Sequence, residues 1–272
     1  MLVKKQSVKD NSQWLEAWET CTDLYSERDI RALEGETISR VERVTKGYKK
    51  IALGWVAGKD SLALEHLMRK TGVSYLPIIW RGVNEYPAMS AWIAENKPMT
   101  LIEEVIDKYS LEFLEAHPDY LFCQNGTRQN WMSTKWARQT ADLKKHGFDL
   151  FITGRRLKDG NRCGTAENEF LLHKPGCDHF SPLGDWYAEQ LLAYLKYNEI
   201  DLPPFYKWDR GFLIGSIAQG EWTERACLDK SVNEVWAELY EIDPSIVTDA
   251  ANVLTSAREY LKGVLSNGGT DC

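Results

Sequence analysis

The chain has 272 residues, 43% of them hydrophobic and 11% aromatic, and carries a net charge of −7. That is enough apolar material to bury one large core or two modest ones, which excludes a disordered chain. The acidic balance argues against a broad nucleic-acid-binding surface. No apolar run approaches the length of a membrane span.

The first residues, "MLVKKQSVKDNSQW", lack the apolar stretch of a signal peptide. Six cysteines (21, 123, 163, 177, 227 and 272) are scattered without a C-x-x-C pair. This argues against a disulfide framework, a zinc ribbon or a cysteine-held iron–sulfur cluster. A cytoplasmic, reduced protein is the expectation.

In chain order, Trp14, Trp18, Cys21 and Tyr25 fall on one face of a helix over 11–25. That stripe reads as core or subunit contact. A second helix is expected from about 27 to 46, broken near Gly35. Strand 51–56, helix 60–70, strand 74–80, helix 87–96 and a short strand near 99–105 come next. A loop-rich stretch leads to helix 131–146 and strand 149–153 ("DLFIT"). Helix 187–198 and a mostly helical end from about 231 to 263 complete the chain.

Alternating strands and helices predict an α/β fold: a doubly wound, mostly parallel sheet with helices on both faces. The expected division is a helical N-terminal extension (1–48), an α/β domain (49–215) and a mostly helical C-terminal region with a mobile tail (216–272). Right-handed crossovers place the C-terminal ends of the strands along one edge, where such sheets bind ligands. Three segments should meet there: 56–61, Trp80-Arg81, and Gly154-Arg155-Arg156.

The first of these, "WVAGKDSLAL" (55–64), leaves an apolar strand through small residues and sets Lys, Asp and Ser at the mouth of a helix. Outward backbone N–H groups with a helix N-terminus behind them form an anion cradle. The plainer reading is a strand-to-helix turn capped by Asp60 or Ser61. Lys59 opposes the helix dipole, so something anionic should compensate it. Charge is also unevenly spread. Residues 128–162 hold nine Lys/Arg against three Asp, a net +6 that leaves −13 for the rest.

"VAGKDS" (56–61) resembles the pyrophosphate-binding loop of N-type ATP pyrophosphatases. "TGRRLKDGNR" (153–162) and "FSPLGDWYAEQLLAYLKYNEIDLPPFY" (180–206) resemble segments of the phosphoadenosine phosphosulfate reductase family. The likeness covers about residues 50–215 and rests on three motifs in the same order. It implies a PP-loop fold binding ATP or phosphoadenosine phosphosulfate. Val56, Ala57, Gly58, Lys59, Asp60, Ser61, Gly154, Lys135, Arg162 and Trp80 are the nucleotide-binding candidates. Lys59, Arg155 and Arg156 are the catalytic candidates. A magnesium ion is compatible with the loop; no zinc, transition metal or iron–sulfur cluster is assigned.

Each candidate has a plainer alternative. Arg155 and Arg156 offer forked donors to phosphate or sulfate, or form salt bridges to acids such as Asp159 or Asp185. Successive residues alternate in direction, so one arginine should face the cleft and the other brace the loop. Trp80 is an adenine platform or core. Asp185 and Trp186 read as cap and staple of helix 187–198. Cys163 and Cys177 are nucleophiles beside a basic segment or simply buried thiols.

The sequence departs from the family pattern in three places. Val56 stands where the loop has serine, and Asp159 stands near a site where relatives carry Gln or Glu. The reductase tail motif E-C-G-x-x-H is absent, although Cys272 follows "NGGTD". The resemblance therefore implies first an enzyme cleaving the α–β phosphate bond of ATP, adenylylating an acceptor or supporting sulfur transfer. A thiol-dependent phosphoadenosine phosphosulfate reductase comes second, and a non-catalytic nucleotide-binding sensor or partner subunit third. The acceptor or sulfur donor is not named by the residues, and a homo-oligomer is left open.

Overall fold

A computed structural model of the protein describes residues 11–208, 211–212, 221–224 and 230–267. Two helices come first, α1 (Asn11–Leu24) and α2 (Glu27–Thr45). Trp14, Ala17 and Cys21 are buried on one face of α1. Helix α2 passes through Gly35 without the expected break. Ser26 and Asp29 close a capping box at its start, and Glu34, beside the glycine, is held by Arg31 and Lys70. These contacts offset a mid-helix glycine, which costs about 1 kcal/mol.

The α/β core then runs β1 (Ile51–Gly54), α3 (Lys59–Arg69), β2 (Leu76–Gly82), α4 (Pro87–Asn96) and β3 (Ile102–Ile106). A short α5 (Leu111–Ala116) and a 3-10 stretch (Pro118–Gly126) precede α6 (Arg128–Lys145) and β4 (Leu150–Ile152). A hairpin of β5 (Leu171–Leu172) and β6 (Asp178–Phe180) leads to α7 (Ala188–Tyr197). Helices α8 (Val232–Ile242), α9 (Pro244–Ala250) and α10 (Thr255–Asn267) form the C-terminal region. No helix among the described residues is long and apolar enough to cross a membrane.

The six strands lie in the order β3-β2-β1-β4-β6-β5. Strand β1 is parallel to β2, with Ala52 opposite Leu76, and to β4, with Ala52 opposite Phe151. Strand β6 is parallel to β4, and β5 closes the sheet antiparallel, with Leu171 opposite Phe180. The chain steps outward from β1 to β3, then returns to β4 on the other side of β1. Right-handed crossovers place helices on both faces of such a sheet, and the reversal between β1 and β4 opens a crevice at their C-terminal ends. Strands β1 and β4 are buried along their length apart from Gly54, as a two-sided sheet requires.

The chain divides into two compact units interleaved in sequence. The first comprises Met1–Trp80, Glu95–Glu104 and Thr140–Ser216. Its core contains Leu53, Trp55, Ile152, Trp186 and Tyr194. The second comprises Arg81–Ala94, Val105–Gln139 and Ile217–Cys272. There Tyr109 stacks on Trp131 with centroids 3.8 Å apart, and Phe122 meets the edge of Trp236 at 4.9 Å.

Two local expectations are corrected. Gly58, not Asp60 or Ser61, is the N-cap residue of α3, and a glycine has no side chain of its own to cap the helix. Asp185 does not cap α7, which starts after Tyr187. Instead Arg40 grips both Asp185 oxygens, at 3.0 and 2.7 Å, while the buried Trp186 donates its indole N–H to Thr37.

Candidate functional site

The loop after β1 is shaped by its backbone. Ala57 is fully buried at φ 54°, in the left-handed region that costs a side-chain-bearing residue about 1–2 kcal/mol. Only a small side chain tolerates that position easily. The Ser61 hydroxyl then pins the turn from within, accepting from the Val56 N–H (3.2 Å) and donating to the Gly58 carbonyl (2.9 Å). The Lys59 N–H, first of the helix, donates to the Tyr206 hydroxyl at 2.9 Å. Burial raises the Tyr206 phenol well above its ordinary pKa, so it remains a neutral partner.

Four side chains of alternating charge follow from this loop. The Lys59 ammonium, 1% exposed, meets Asp60 Oδ2 at 2.6 Å and lies 5.0 Å from the centre of the Trp14 ring. Asp60 Oδ1 lies 3.0 Å from Nε of Arg156, whose side chain is 0% exposed. Arg156 Nη2 in turn meets Asp159 at 2.9 Å. The Nε contact is close but not aligned as a hydrogen bond, so it is an ion pair by proximity; among the described residues Nη1 finds no hydrogen-bond partner. The anion that compensates Lys59 is thus Asp60, inside the loop itself.

Gly154 is what lets the two loops meet. A Cβ there would stand 2.9 Å from the Asp60 carbonyl oxygen, closer than real Cβ atoms come. The end of β4 therefore packs on the backbone of α3's first turn. This contact lies at the crevice between β1 and β4 that the strand order creates.

The two adjacent arginines diverge. Arg156 turns to Asp60 and Asp159. Arg155 is half-buried and meets no carboxylate among the described residues; desolvation lowers its pKa, and it acts electrostatically on Cys163, Lys174 and His179. Burial, with Lys174 and Arg155 adding to it, brings His179 down to about 4. Burial also pushes the Cys163 and Cys177 thiols up to about 11. Arg162 is exposed and also depresses Lys174.

Of the residues singled out from sequence, Val56, Ala57, Gly58, Lys59, Asp60, Ser61, Gly154 and Arg156 come together. Trp80 sits in the core, its indole N–H donating to Asp142 at 3.0 Å and its ring edge-on to Phe151. Lys135 belongs to the second unit, buried between Glu221 (2.8 Å) and Glu224. Burial opposes its charge, yet the two carboxylates hold its pKa above the ordinary value. Cys227 and Cys272 lie outside the described residues.

Sequence reasoning passed over Tyr206 and the Trp14–Lys59 contact, and Glu221 and Glu224. Asp159 was legible, standing three residues after Arg156.

No curated protein matches the chain in sequence. Among solved structures, it is similar to phosphoadenylyl-sulfate (PAPS) reductase from Candida auris in a phosphate complex. Identity is 16%, coverage 67% of this chain and 92% of that one, and the TM-score 0.50. At that identity the likeness is one of fold alone. It is also similar to NH3-dependent NAD synthetase from Campylobacter jejuni (14% identity, 85% and 96% coverage, TM-score 0.43). A third is U34-tRNA thiolase NcsA from Methanococcus maripaludis with its [4Fe-4S] cluster (14%, 86% and 78%, 0.42). The model of the phosphoadenosine phosphosulfate reductase domain matches residues 50–213, from the start of β1 past the Tyr206 that closes on the loop. The chain therefore belongs to the phosphoadenosine phosphosulfate reductase domain family.

Proposed function

We propose that the protein binds an adenine nucleotide at the crevice between β1 and β4 and cleaves the α–β phosphate bond of ATP, adenylylating an acceptor or supporting sulfur transfer. The observation that carries this reading is the junction of Asp60 with Arg156, which joins the loop after β1 to the loop after β4. The Lys59 N–H is taken by Tyr206, so the first turn of α3 offers a phosphate its remaining N–H groups and the positive end of the helix dipole. The Arg156 guanidinium, whose Nη1 finds no hydrogen-bond partner among the described residues, offers that donor to a ligand oxygen.

In this reading the leaving pyrophosphate develops charge at the α3 N-terminus while the acceptor attacks the α-phosphorus. Catalysis is electrostatic and positional and needs no protein nucleophile. Among the described residues, no three His, Cys, Asp or Glu side chains cluster to hold a metal. In this reading magnesium is carried by ATP as part of the substrate.

Thiol-dependent reduction of a phosphosulfate nucleotide ranks second. Cys163 and Cys177, raised to about 11, hold little thiolate at neutral pH. A nucleotide-binding protein without turnover is favoured by Val56 in the loop and by cations already balanced by Asp60 and Asp159.

The test incubates the protein with ATP or phosphoadenosine phosphosulfate, with and without thioredoxin, and follows pyrophosphate, AMP, sulfite and heat of binding. Pyrophosphate and AMP from ATP support the first reading. Thioredoxin-dependent sulfite supports the second, and binding without product supports the third.

A further inference from the structure

The first helix lies outside the matched family segment, yet one of its side chains is built into the loop. Trp14, 1% exposed, stacks parallel on Phe212 with centroids 5.7 Å apart and an interplanar angle of 1°. Phe212 meets the edge of Tyr206 at 5.0 Å, and its N–H donates to Asn11 at 3.1 Å. The Tyr206 hydroxyl accepts from the Lys59 N–H, and the Lys59 ammonium lies 5.0 Å from the Trp14 ring centre. The circuit closes on itself within the first unit. Lys59 is held at both ends, its N–H by Tyr206 and its ammonium by Trp14.

A buried ammonium has three donors to satisfy. Among the described residues Lys59 finds one carboxylate oxygen, on Asp60, and one aromatic face, on Trp14. The ring quadrupole attracts a cation most strongly where water is excluded. An aliphatic side chain at position 14 would fill part of the space without that attraction. Lys59 would then have only Asp60 to orient its ammonium, and the Asp60 carboxylate that also faces Arg156 would share in any reorientation.

We infer that Trp14 is a positioning residue for the nucleotide site: its indole face fixes the Lys59 ammonium, and through Asp60 it sets Arg156. The helix α1 is then a working part of the phosphate cradle. This inference rests on the nucleotide reading above, but its geometry is tested separately.

The test compares wild type, Trp14→Leu and Trp14→Phe as full-length protein. Two measurements are made: calorimetric titration with magnesium–ATP, and the proton–nitrogen spectrum of lysine ammonium groups, with Lys59 assigned through Lys59→Arg. The expected wild-type Lys59 signal is shifted upfield by the indole ring current. Trp14→Leu should lose that shift and bind ATP about tenfold more weakly, whereas Trp14→Phe keeps the shift and stays within about threefold of wild type. Unchanged ATP affinity in folded Trp14→Leu overturns the inference, as does an unshifted Lys59 signal in the wild type. If Trp14→Leu does not fold, Trp14→Phe decides: loss of its Lys59 shift with unchanged affinity overturns the inference, and retention of both supports it. Absence of ATP binding in wild type with a shifted Lys59 signal sinks the nucleotide reading and leaves the Trp14–Lys59 contact standing.

Discussion

Asp60 Oδ1 lies 3.0 Å from Arg156 Nε, and the other oxygen of the same carboxylate lies 2.6 Å from the Lys59 ammonium. One acidic group thus balances two buried cations, one from the first turn of α3 and one from the loop after β4. Without it, two charges would stand in a low-dielectric interior with too few partners, which is costlier than the pairing is favourable.

Asp60→Asn keeps the size and removes the charge. We expect it to destabilise the protein by about 3 kcal/mol, the cost of leaving buried cations short of a carboxylate. Urea unfolding gives the number; a change below about 0.5 kcal/mol, the range of ordinary surface substitutions, contradicts the assignment.

Gly154→Ala adds a Cβ within 2.9 Å of the Asp60 carbonyl oxygen, a backbone atom that cannot swing aside. The expected loss is about 1–3 kcal/mol of stability, as for overpacking elsewhere. Gly35→Ala is the control, since its added methyl meets nothing within 4 Å. It should raise the melting temperature slightly, because alanine favours a helix interior over glycine by about 1 kcal/mol. Equal effects at the two sites would show that the close approach at Gly154 does not matter.

The loop "VAGKDS" and the paired arginines were legible because each places unusual residues at the end of an apolar strand. The sequence could also say that successive arginines diverge. It could not say which acid each would find, since Asp60–Arg156 joins residues 96 positions apart. Strands β5 and β6 escaped notice because two and three residues are too short to show an alternation. The helix α1 looked like core from its stripe, and Trp14 is indeed buried. Nothing in that periodicity shows that one of its rings faces a lysine. Lys135 was placed by resemblance with the nucleotide residues, whereas the structure pairs it with Glu221 and Glu224.

That pairing has its own consequence. Lys135→Met removes the cation from between two buried carboxylates and should cost the fold about 3–5 kcal/mol. Adding Glu221→Gln and Glu224→Gln to the same variant should recover part of the loss. Stability measured on the single and triple variants checks both statements; equal stability would show that the triad is not coupled.

His179 gives a pH dependence. Its folded pKa of about 4 lies below the ordinary 6.5, chiefly through burial, then through Lys174 and Arg155. Protonation therefore favours the unfolded chain. The stability this neutral imidazole contributes is present above pH 6.5 and is lost as pH falls from 6.5 towards 4. Melting temperature against pH should fall across that window in wild type and more shallowly in His179→Gln. Identical slopes would remove His179 from the account.

The central claim is that a nucleotide binds where the loops after β1 and β4 meet, and titration of magnesium–ATP into wild type and Arg156→Lys tests it most directly. Lysine keeps the charge but cannot span Asp60, Asp159 and a phosphate as the guanidinium fork does. The account predicts binding in wild type and an affinity about tenfold weaker in the variant, roughly 1.4 kcal/mol. No heat of binding in wild type, or equal affinities in the two proteins, would contradict it.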